Sequence, residues 1–226
     1  MIILYDKITV AVIIMLFQPN ATIRKSIIMT ETKLLKLNLG ASQTYIPGFI
    51  NIDISNRADI LLNLGRDKLP FEDNSVDVIF SYHTLEHIAD YLFCISEIYR
   101  VLKHSGHLLV GVPYVTLTEY NLVNPYHLHN FSEFSFDFFD PDKLKGSASE
   151  DNPVLFKKVF HRFHYIGRYA SLPLPLRDWC RRHLFNVVRE IDFGLVAIKN
   201  VNETLAYNTQ EMLDEFNMCF NSRTLY

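Results

Sequence analysis

The chain has 226 residues, 49% of them hydrophobic, and this length allows one domain of ordinary size to bury a core. The formal net charge is −3 and no polybasic tract is present, so the composition argues against a nucleic-acid-binding or membrane-surface protein. The three cysteines are far apart and form no Cys-x-x-Cys pair, which favours free thiols in a reducing compartment such as the cytoplasm.

The amino-terminal segment contains an apolar run at 8–17. A membrane-spanning helix needs about 20 apolar residues, so no stable membrane span is expected. Two interpretations stay open. The run is the hydrophobic part of a signal peptide, although no small-residue cleavage site follows it, or it belongs to an extension that precedes a translation start at Met29. We favour the extension and assign residues 1–32 to it.

From Lys33 onward, short apolar runs bounded by turn residues predict buried β-strands. The runs in the first half of the chain are 34–39, 49–53, 58–64, 76–80 and 107–112. Between the last two, apolar residues recur at three- and four-residue steps from Leu85 to Leu102, which predicts a helix that ends at Lys103–Gly106. Strand, helix and strand in this order indicate an α/β fold with a parallel sheet.

The second half of the chain is less regular. Residues 114–142 are rich in aromatic side chains and histidine, and they predict a long loop with one or two short helices. A polar stretch at 147–153 predicts an exposed turn. Two late strands and the helix between them are predicted over 156–164, 190–199 and 176–188. Residues 204–226 predict an amphipathic helix that frays towards the end of the chain.

Two of the predicted strands end in residues that suit nucleotide binding. Gly40 ends the first strand, where a glycine lets the backbone turn sharply and lets a ligand approach the main chain. Asp53 ends the second strand, where a carboxylate can accept both hydroxyls of a ribose. Each residue alone is equally explained as a turn glycine or a capping aspartate. If they bind one nucleotide, they must face the same crevice.

A series of motifs follows the same order along the chain as in a known family. The motifs are LNLGAS at 37–42, NID at 51–53, LPFEDNSVD at 69–77, HTLEH at 83–87, EIYRVLKHSG at 97–106 and LLVGVP at 108–113. Over residues 33–115 their order and spacing resemble the class I S-adenosylmethionine-dependent methyltransferases, specifically the group with a type 11 domain. The resemblance implies a Rossmann-like, doubly wound, mostly parallel sheet with an antiparallel edge strand. We assign residues 33–200 to this domain and 201–226 to a carboxy-terminal tail or helix.

The resemblance also implies S-adenosyl-L-methionine as the cofactor and a set of residues at the strand ends that bind it. They are Gly40, Ala41, Ser42, Asp53, Ile54, Asn63, Leu64, Ser81 and Tyr82. The first three would line the methionine part, Asp53 would bind the ribose, the next three would meet the adenine, and the last two would lie near the sulfonium. Two residues depart from the family pattern: Ser42 replaces its second glycine, and Asn63 replaces its usual adenine-side acid.

Histidines are predicted on the acceptor side. His83 and His87 are four residues apart and would share a helix face with Glu86 nearby; this spacing suits zinc, but no third ligand is evident and no metal is predicted. Residues 124–132 resemble the loop that covers the acceptor in relatives. There His127 is either a general base or a residue that pins the loop by hydrogen bonds. The predicted catalytic residues are His83 and His127.

The predicted function is methyl transfer to a small-molecule or glycan acceptor, through a hydroxyl of a sugar or other metabolite, by a cytoplasmic enzyme. The alternative is a degenerate methyltransferase fold with a binding or regulatory role, which the serine at position 42 suggests. A nicotinamide dehydrogenase is disfavoured, since residues 40–45 lack the G-x-G-x-x-G pattern. The sequence leaves the acceptor atom and the oligomeric state open.

Overall fold

The structure, a computed structural model, describes residues 34–42, 44–143 and 153–225. The predictions for the apolar run at 8–17 and the extension at 1–32 therefore lie outside the described residues, as does nearly all of the turn predicted at 147–153. The described residues from Leu35 onward belong to one compact unit, including those after position 200. The domain division at positions 32 and 200 stays a prediction.

A seven-stranded sheet forms the centre of this unit, with strand order β4-β3-β1-β5-β6-β8-β7, and a two-stranded ribbon pairs β2 with β9. In chain order the strands are β1 (Lys36–Leu39), β2 (Thr44–Tyr45), β3 (Ile50–Asp53), β4 (Ile60–Leu61), β5 (Val76–Tyr82), β6 (Leu102–Pro113), β7 (Phe156–Tyr165), β8 (Val188–Ala197) and β9 (Thr224–Leu225). The strands from β4 to β6 are parallel, which confirms the mostly parallel Rossmann-like sheet. The antiparallel strand is β8, which lies one place inside the edge formed by β7.

The longer helices are α1 (Tyr91–Val101), α3 (Leu174–His183) and α4 (Thr209–Asn221), and α2 (Thr118–Asn121) is a single turn. The helix predicted from Leu85 begins later, because Asp90 caps α1 by accepting a hydrogen bond from the Phe93 amide. Residues Leu85–His87 form a separate 3₁₀ turn. The helix also ends earlier than predicted, since Leu102 pairs with Val76 and begins β6.

Alternate residues of the central strands point into two separate apolar clusters, one on each face of the sheet. On one face, Ile79 and Leu108 pack with α1 through residues such as Ile95. On the other face, Phe80 and Leu109 pack with α4. The buried residues of α4 are Met212, Phe216 and Cys219. The helix predicted in the tail is thus present, but the chain beyond it pairs with β2 in place of fraying.

The connection from β1 to β3 is unusually short for a crossover between parallel strands, which typically takes a dozen residues or more and contains a helix. It spans positions 40–49, and its described residues contain the two-residue strand β2 and no helix. The Ile46–Phe49 segment closes as a turn, with the Phe49 amide donating to the Ile46 carbonyl at 3.2 Å. Because this connection supplies no helix, α4 from the far end of the chain covers that face of the sheet.

Candidate functional site

The turn after β1 needs a glycine for two independent reasons. Gly40 has a positive φ of 72°, which disfavours any residue with a side chain. A Cβ atom at this position would also overlap the side chain of Thr84. The Gly40 and Ala41 amides both donate to the Ile52 carbonyl, at 2.8 and 3.2 Å, so the turn is fastened to the end of β3.

The Asp53 carboxylate lies next to the Gly40 turn and contacts it at Ser42. One of its carboxylate oxygens, Oδ2, accepts from the Ser42 amide at 2.9 Å, and the other, Oδ1, accepts from the Ser55 amide at 2.7 Å. A carboxylate has about four acceptor positions, so two amide donors leave capacity for ribose hydroxyls. Ser42 itself has φ +51°, so it adopts the left-handed backbone that the family's second glycine would favour. The hydrogen bond to Asp53 helps to hold it there.

A buried amide network that the sequence analysis missed holds the short crossover. Asn51 Oδ1 accepts from Asn38 Nδ2 at 2.9 Å and from the Ile46 amide at 3.0 Å. Its Nδ2 donates to Asp59 Oδ2 at 2.9 Å. Asn38 and Asn51 are both buried. An asparagine at a core-facing strand position could have indicated this network, because a buried amide must find hydrogen-bond partners.

The predicted adenine-side residues differ in their surroundings. Ile54 is 72% exposed and could contact an adenine ring, whereas the Leu64 side chain is buried. Asn63 Oδ1 accepts from the Gly65 amide at 3.0 Å and closes an Asx turn, so part of its acceptor capacity is already used. The ends of β3 and β4 are joined by the Leu62 amide, which donates to the Asp53 carbonyl at 2.8 Å.

At the end of β5, Ser81 and Tyr82 sit in contrasting environments. Ser81 Oγ is buried and has no hydrogen-bond partner among the described residues. Tyr82 donates from its hydroxyl to Glu190 Oε2 at 2.6 Å. Burial and the neighbouring Glu190 raise the pKa of Tyr82 well above its ordinary value. Tyr82 therefore serves as a hydrogen-bond donor and not as a base.

Glu190 is the carboxylate at the centre of this group, and the sequence analysis did not single it out. Its Oε1 lies 3.5 Å from His83 Nε2. Burial by itself would raise the pKa of Glu190, but the nearby His83, the hydrogen bond from Tyr82 and the nearby Arg189 outweigh it and lower the pKa to about 2. Glu190 is thus a fixed negative charge beside the predicted catalytic residue His83. It comes from β8, far along the chain, so no local motif points to it.

The predicted shared helix face of His83 and His87 is wrong. His83 has φ +51° and precedes the 3₁₀ turn, so the backbone turns sharply between the two histidines. The His83 ring stacks on Tyr82 with centroids 4.5 Å apart. The His87 ring instead meets His127, with centroids 4.7 Å apart. The four-residue spacing puts the two histidines on one face only if they lie in a helix, and α1 begins after both of them.

The loop over the acceptor side is tied down next to the HTLEH motif. The backbone carbonyl of Glu86 accepts from the Leu128 and His129 amides at 2.7 and 3.2 Å. His127 Nδ1 lies 3.3 Å from Asn121 Oδ1. Burial, together with the nearby His87 and His83, lowers the pKa of His127, which favours the neutral imidazole at neutral pH. Both interpretations of His127, general base and loop anchor, are compatible with this geometry and stay predictions.

Two residues of the EIYRVLKHSG motif, Glu97 and Arg100, hold the loop before β5. Arg100 donates to Glu97, to the carbonyls of Leu69 and Phe71, and to Asp73 Oδ1, while Glu97 Oε2 accepts from the Leu69 amide. Burial would raise the pKa of Glu97, but its hydrogen bonds to Arg100 and Leu69 lower it. These two residues of α1 therefore fix the loop before β5, and through it the position of the strand that carries Ser81 and Tyr82.

Comparison with known proteins finds similarity within the motif region. Residues 51–110 match the family model described as "Methyltransferase domain". A 44-residue segment is 46% identical to an uncharacterised protein of Methanocaldococcus jannaschii. The match spans about a fifth of each chain, at 20% of this chain and 19% of the relative.

Solved structures of similar shape include the YcgJ protein of Bacillus subtilis and an S-adenosylmethionine-dependent methyltransferase of Archaeoglobus fulgidus. The first is 14% identical, covers 74% of this chain and 93% of its own, and has a TM-score of 0.49. The second is 13% identical, covers 72% of this chain and 86% of its own, and also has a TM-score of 0.49. Among the described residues, none of the helices is long and apolar enough to cross a membrane.

Proposed function

We propose that the chain carries a class I S-adenosylmethionine-dependent methyltransferase domain and that it transfers a methyl group to a hydroxyl of a sugar or another small metabolite. The observation that carries the proposal is the contact between the Gly40 turn and the Asp53 carboxylate, which the Ser42 amide links at 2.9 Å. An adenosyl group needs both a close main-chain approach and a ribose acceptor at this place.

The residues present fit S-adenosylmethionine on three counts. The turn at Gly40 has the positive φ of a glycine turn, and Thr84 packs where a side chain would stand. Asp53 keeps acceptor capacity for the ribose hydroxyls. The orphaned, buried Ser81 Oγ lies at the end of β5, where the methionine part would end. Gly40, Ala41, Ser42, Asp53, Ile54, Asn63, Leu64, Ser81 and Tyr82 are the residues we propose to hold the cofactor.

When bound, S-adenosylmethionine supplies an activated methyl group on a sulfonium. The chain's own task is to align an acceptor oxygen with that group and to exclude water. Tyr82 donates its hydroxyl proton to Glu190, so its oxygen is left to accept a hydrogen bond from a hydroxyl of the acceptor and to orient it. His127, neutral because its pKa is lowered, accepts the proton that the acceptor hydroxyl loses. His83, beside the charge of Glu190, is the second base.

A hydroxyl-rich acceptor suits the polar character of this side of the crevice. Three histidines and two carboxylates gather there from the HTLEH turn, the loop at 114–142 and β8. The backbone conformation of Ser42, which is the one that the family's second glycine would adopt, supports a catalytic domain over a degenerate one. The buried thiols of Cys94, Cys180 and Cys219 are compatible with a cytoplasmic location.

Replacing Asp53 with alanine tests the proposal. The loss of charge-assisted hydrogen bonds to the ribose should cost about 1.5–3 kcal/mol and weaken S-adenosylmethionine binding about 10–100-fold. Isothermal titration calorimetry with the full chain measures this. Asp214→Ala, which removes an exposed carboxylate on α4, and His127→Ala, on the acceptor side, should both leave the affinity unchanged. An Asp53→Ala chain that binds as tightly as wild type would refute the assignment.

A further inference from the structure

A cluster of ligand-bearing side chains lies where the HTLEH turn meets the loop at 114–142. Glu86, His87 and His127 each offer one carboxylate oxygen or ring nitrogen, and these atoms all lie within 4.8 Å of one another. His87 Nε2 is 4.0 Å from Glu86 Oε1. The sequence analysis considered His83 with His87 and predicted no metal, whereas this cluster leaves His83 out and takes His127 from a loop 40 positions after His87.

Glu86 is the member that calls for an explanation. Its side chain is only 1% exposed, and neither carboxylate oxygen has a hydrogen-bond partner among the described residues. A buried carboxylate without partners is costly unless it is protonated or a cation compensates it. The backbone carbonyl of the same residue holds the amides of Leu128 and His129, so the loop that carries His127 is fastened directly over this carboxylate.

Both histidines present the nitrogen that a metal ligand needs. His87 Nδ1 lies 3.0 Å from the Tyr126 carbonyl, which can only accept, so Nδ1 carries the proton and Nε2 keeps its lone pair. His127 Nδ1 lies 3.3 Å from Asn121 Oδ1 and is oriented in the same way. Histidines that bind metals characteristically donate their other ring N–H to a carbonyl or carboxylate oxygen.

We propose that Glu86, His87 and His127 form a binding site for one divalent transition-metal ion of the zinc class. Two imidazoles and one carboxylate are a donor set that suits Zn²⁺, whereas Mg²⁺ prefers oxygen ligands and water. Three protein ligands leave at least one coordination position for water or for an acceptor oxygen. In the metal-bound chain His127 is a ligand, and His83 is the remaining predicted base.

The test is a zinc competition titration of the untagged, chelator-stripped full chain against a chromogenic zinc chelator, without S-adenosylmethionine or acceptor. Wild type should take up one equivalent of Zn²⁺. Glu86→Gln and His127→Ala should each weaken binding at least tenfold, and Asn121→Ala, which removes the partner of the His127 ring, about tenfold. His183→Ala, which removes an exposed histidine on α3, should leave binding unchanged.

Circular dichroism and thermal unfolding of the stripped variants establish that each one is folded before titration. The proposal is overturned if wild type takes up no zinc, if the cluster variants bind as tightly as His183→Ala, or if Mg²⁺ at equal concentration displaces the zinc. Binding is measured without the cofactor, so a failure here leaves the proposed methyl transfer untouched, and a chain that binds zinc but not S-adenosylmethionine would refute the latter alone.

Discussion

The two sides of the crevice are built in different ways. The cofactor side, at the ends of β1 and β3, depends on main-chain geometry. Gly40 and Asp53 lie close in sequence, and backbone amides make most of their contacts. The acceptor side depends on side chains from distant segments, such as His83, His127 and Glu190. The cofactor side should therefore be disturbed by the addition of a single methyl group, and the acceptor side by the removal of a charge.

The largest effect should come from adding that methyl group. Gly40→Ala places a Cβ atom inside the space of the Thr84 side chain and in a left-handed backbone, so we expect a loss of about 4 kcal/mol in unfolding free energy. S-adenosylmethionine affinity should fall further than in Asp53→Ala. Urea denaturation and isothermal titration calorimetry measure the two quantities.

Gly48→Ala is the matched control for this change. Gly48 has a φ of +81°, comparable with that of Gly40, but a Cβ there would meet nothing within 4 Å. The Gly48→Ala variant should lose about 1–2 kcal/mol of unfolding free energy, because only the left-handed backbone is strained, and it should keep its cofactor affinity. Equal losses in the two variants would mean that backbone conformation alone, and not close approach to Thr84, makes the turn require glycine.

The same contrast explains which features the sequence could reveal. The strands were found because their apolar runs reflect burial on both faces, and the shared crevice of Gly40 and Asp53 followed from strand ends that meet at one edge. The start of α1 was misjudged because Leu85 and Ile88 fit the helical period although they belong to a separate turn and its end. The cap at Asp90 was the local signal that decides the boundary.

Features that depend on long-range contacts were out of reach. The pairing of β2 with β9 involves two residues on each side, too few for any pattern, and it joins positions about 180 residues apart. Glu190 is another example, because it meets Tyr82 only when β8 inserts next to β6. The short spacing between the LNLGAS and NID motifs leaves little room for a helix, and the described residues between β1 and β3 contain none. The sequence could not show that α4 packs on that face of the sheet instead.

The next effect in size tests the charge of the acceptor side. The pKa of Glu190 is lowered to about 2, against about 4.3 for an unfolded glutamate, so its carboxylate stabilises the fold above pH 4.5. This contribution, about 3 kcal/mol, is lost as pH falls towards 2, with about 2 kcal/mol gone by pH 3. Tyr82, His83 and Arg189 are the neighbours that favour the charged form.

Glu190→Gln should therefore flatten the pH dependence of the unfolding free energy between pH 4.5 and 3, by about 1.5 kcal/mol relative to wild type. Urea denaturation at a series of pH values measures it. Glu119→Gln, which changes an exposed glutamate on α2, should retain the wild-type slope. If Glu190→Gln also retains it, the Tyr82 and His83 contacts do not hold the carboxylate in its charged form.

The smallest effect concerns the contact that joins the two sides. The Arg223 guanidinium lies 4.0 Å from the Tyr82 ring centroid, directly before β9, which pairs with the strand that follows the Gly40 turn. Arg223→Ala should cost about 0.5–1 kcal/mol and speed amide exchange at Thr44 and Tyr45. Arg168→Ala, which removes a looser arginine–tyrosine contact of 5.5 Å, should leave exchange in β2 unchanged. Hydrogen exchange by mass spectrometry separates the cases: if both variants leave the 44–45 segment equally protected, the end of the chain does not brace the cofactor turn.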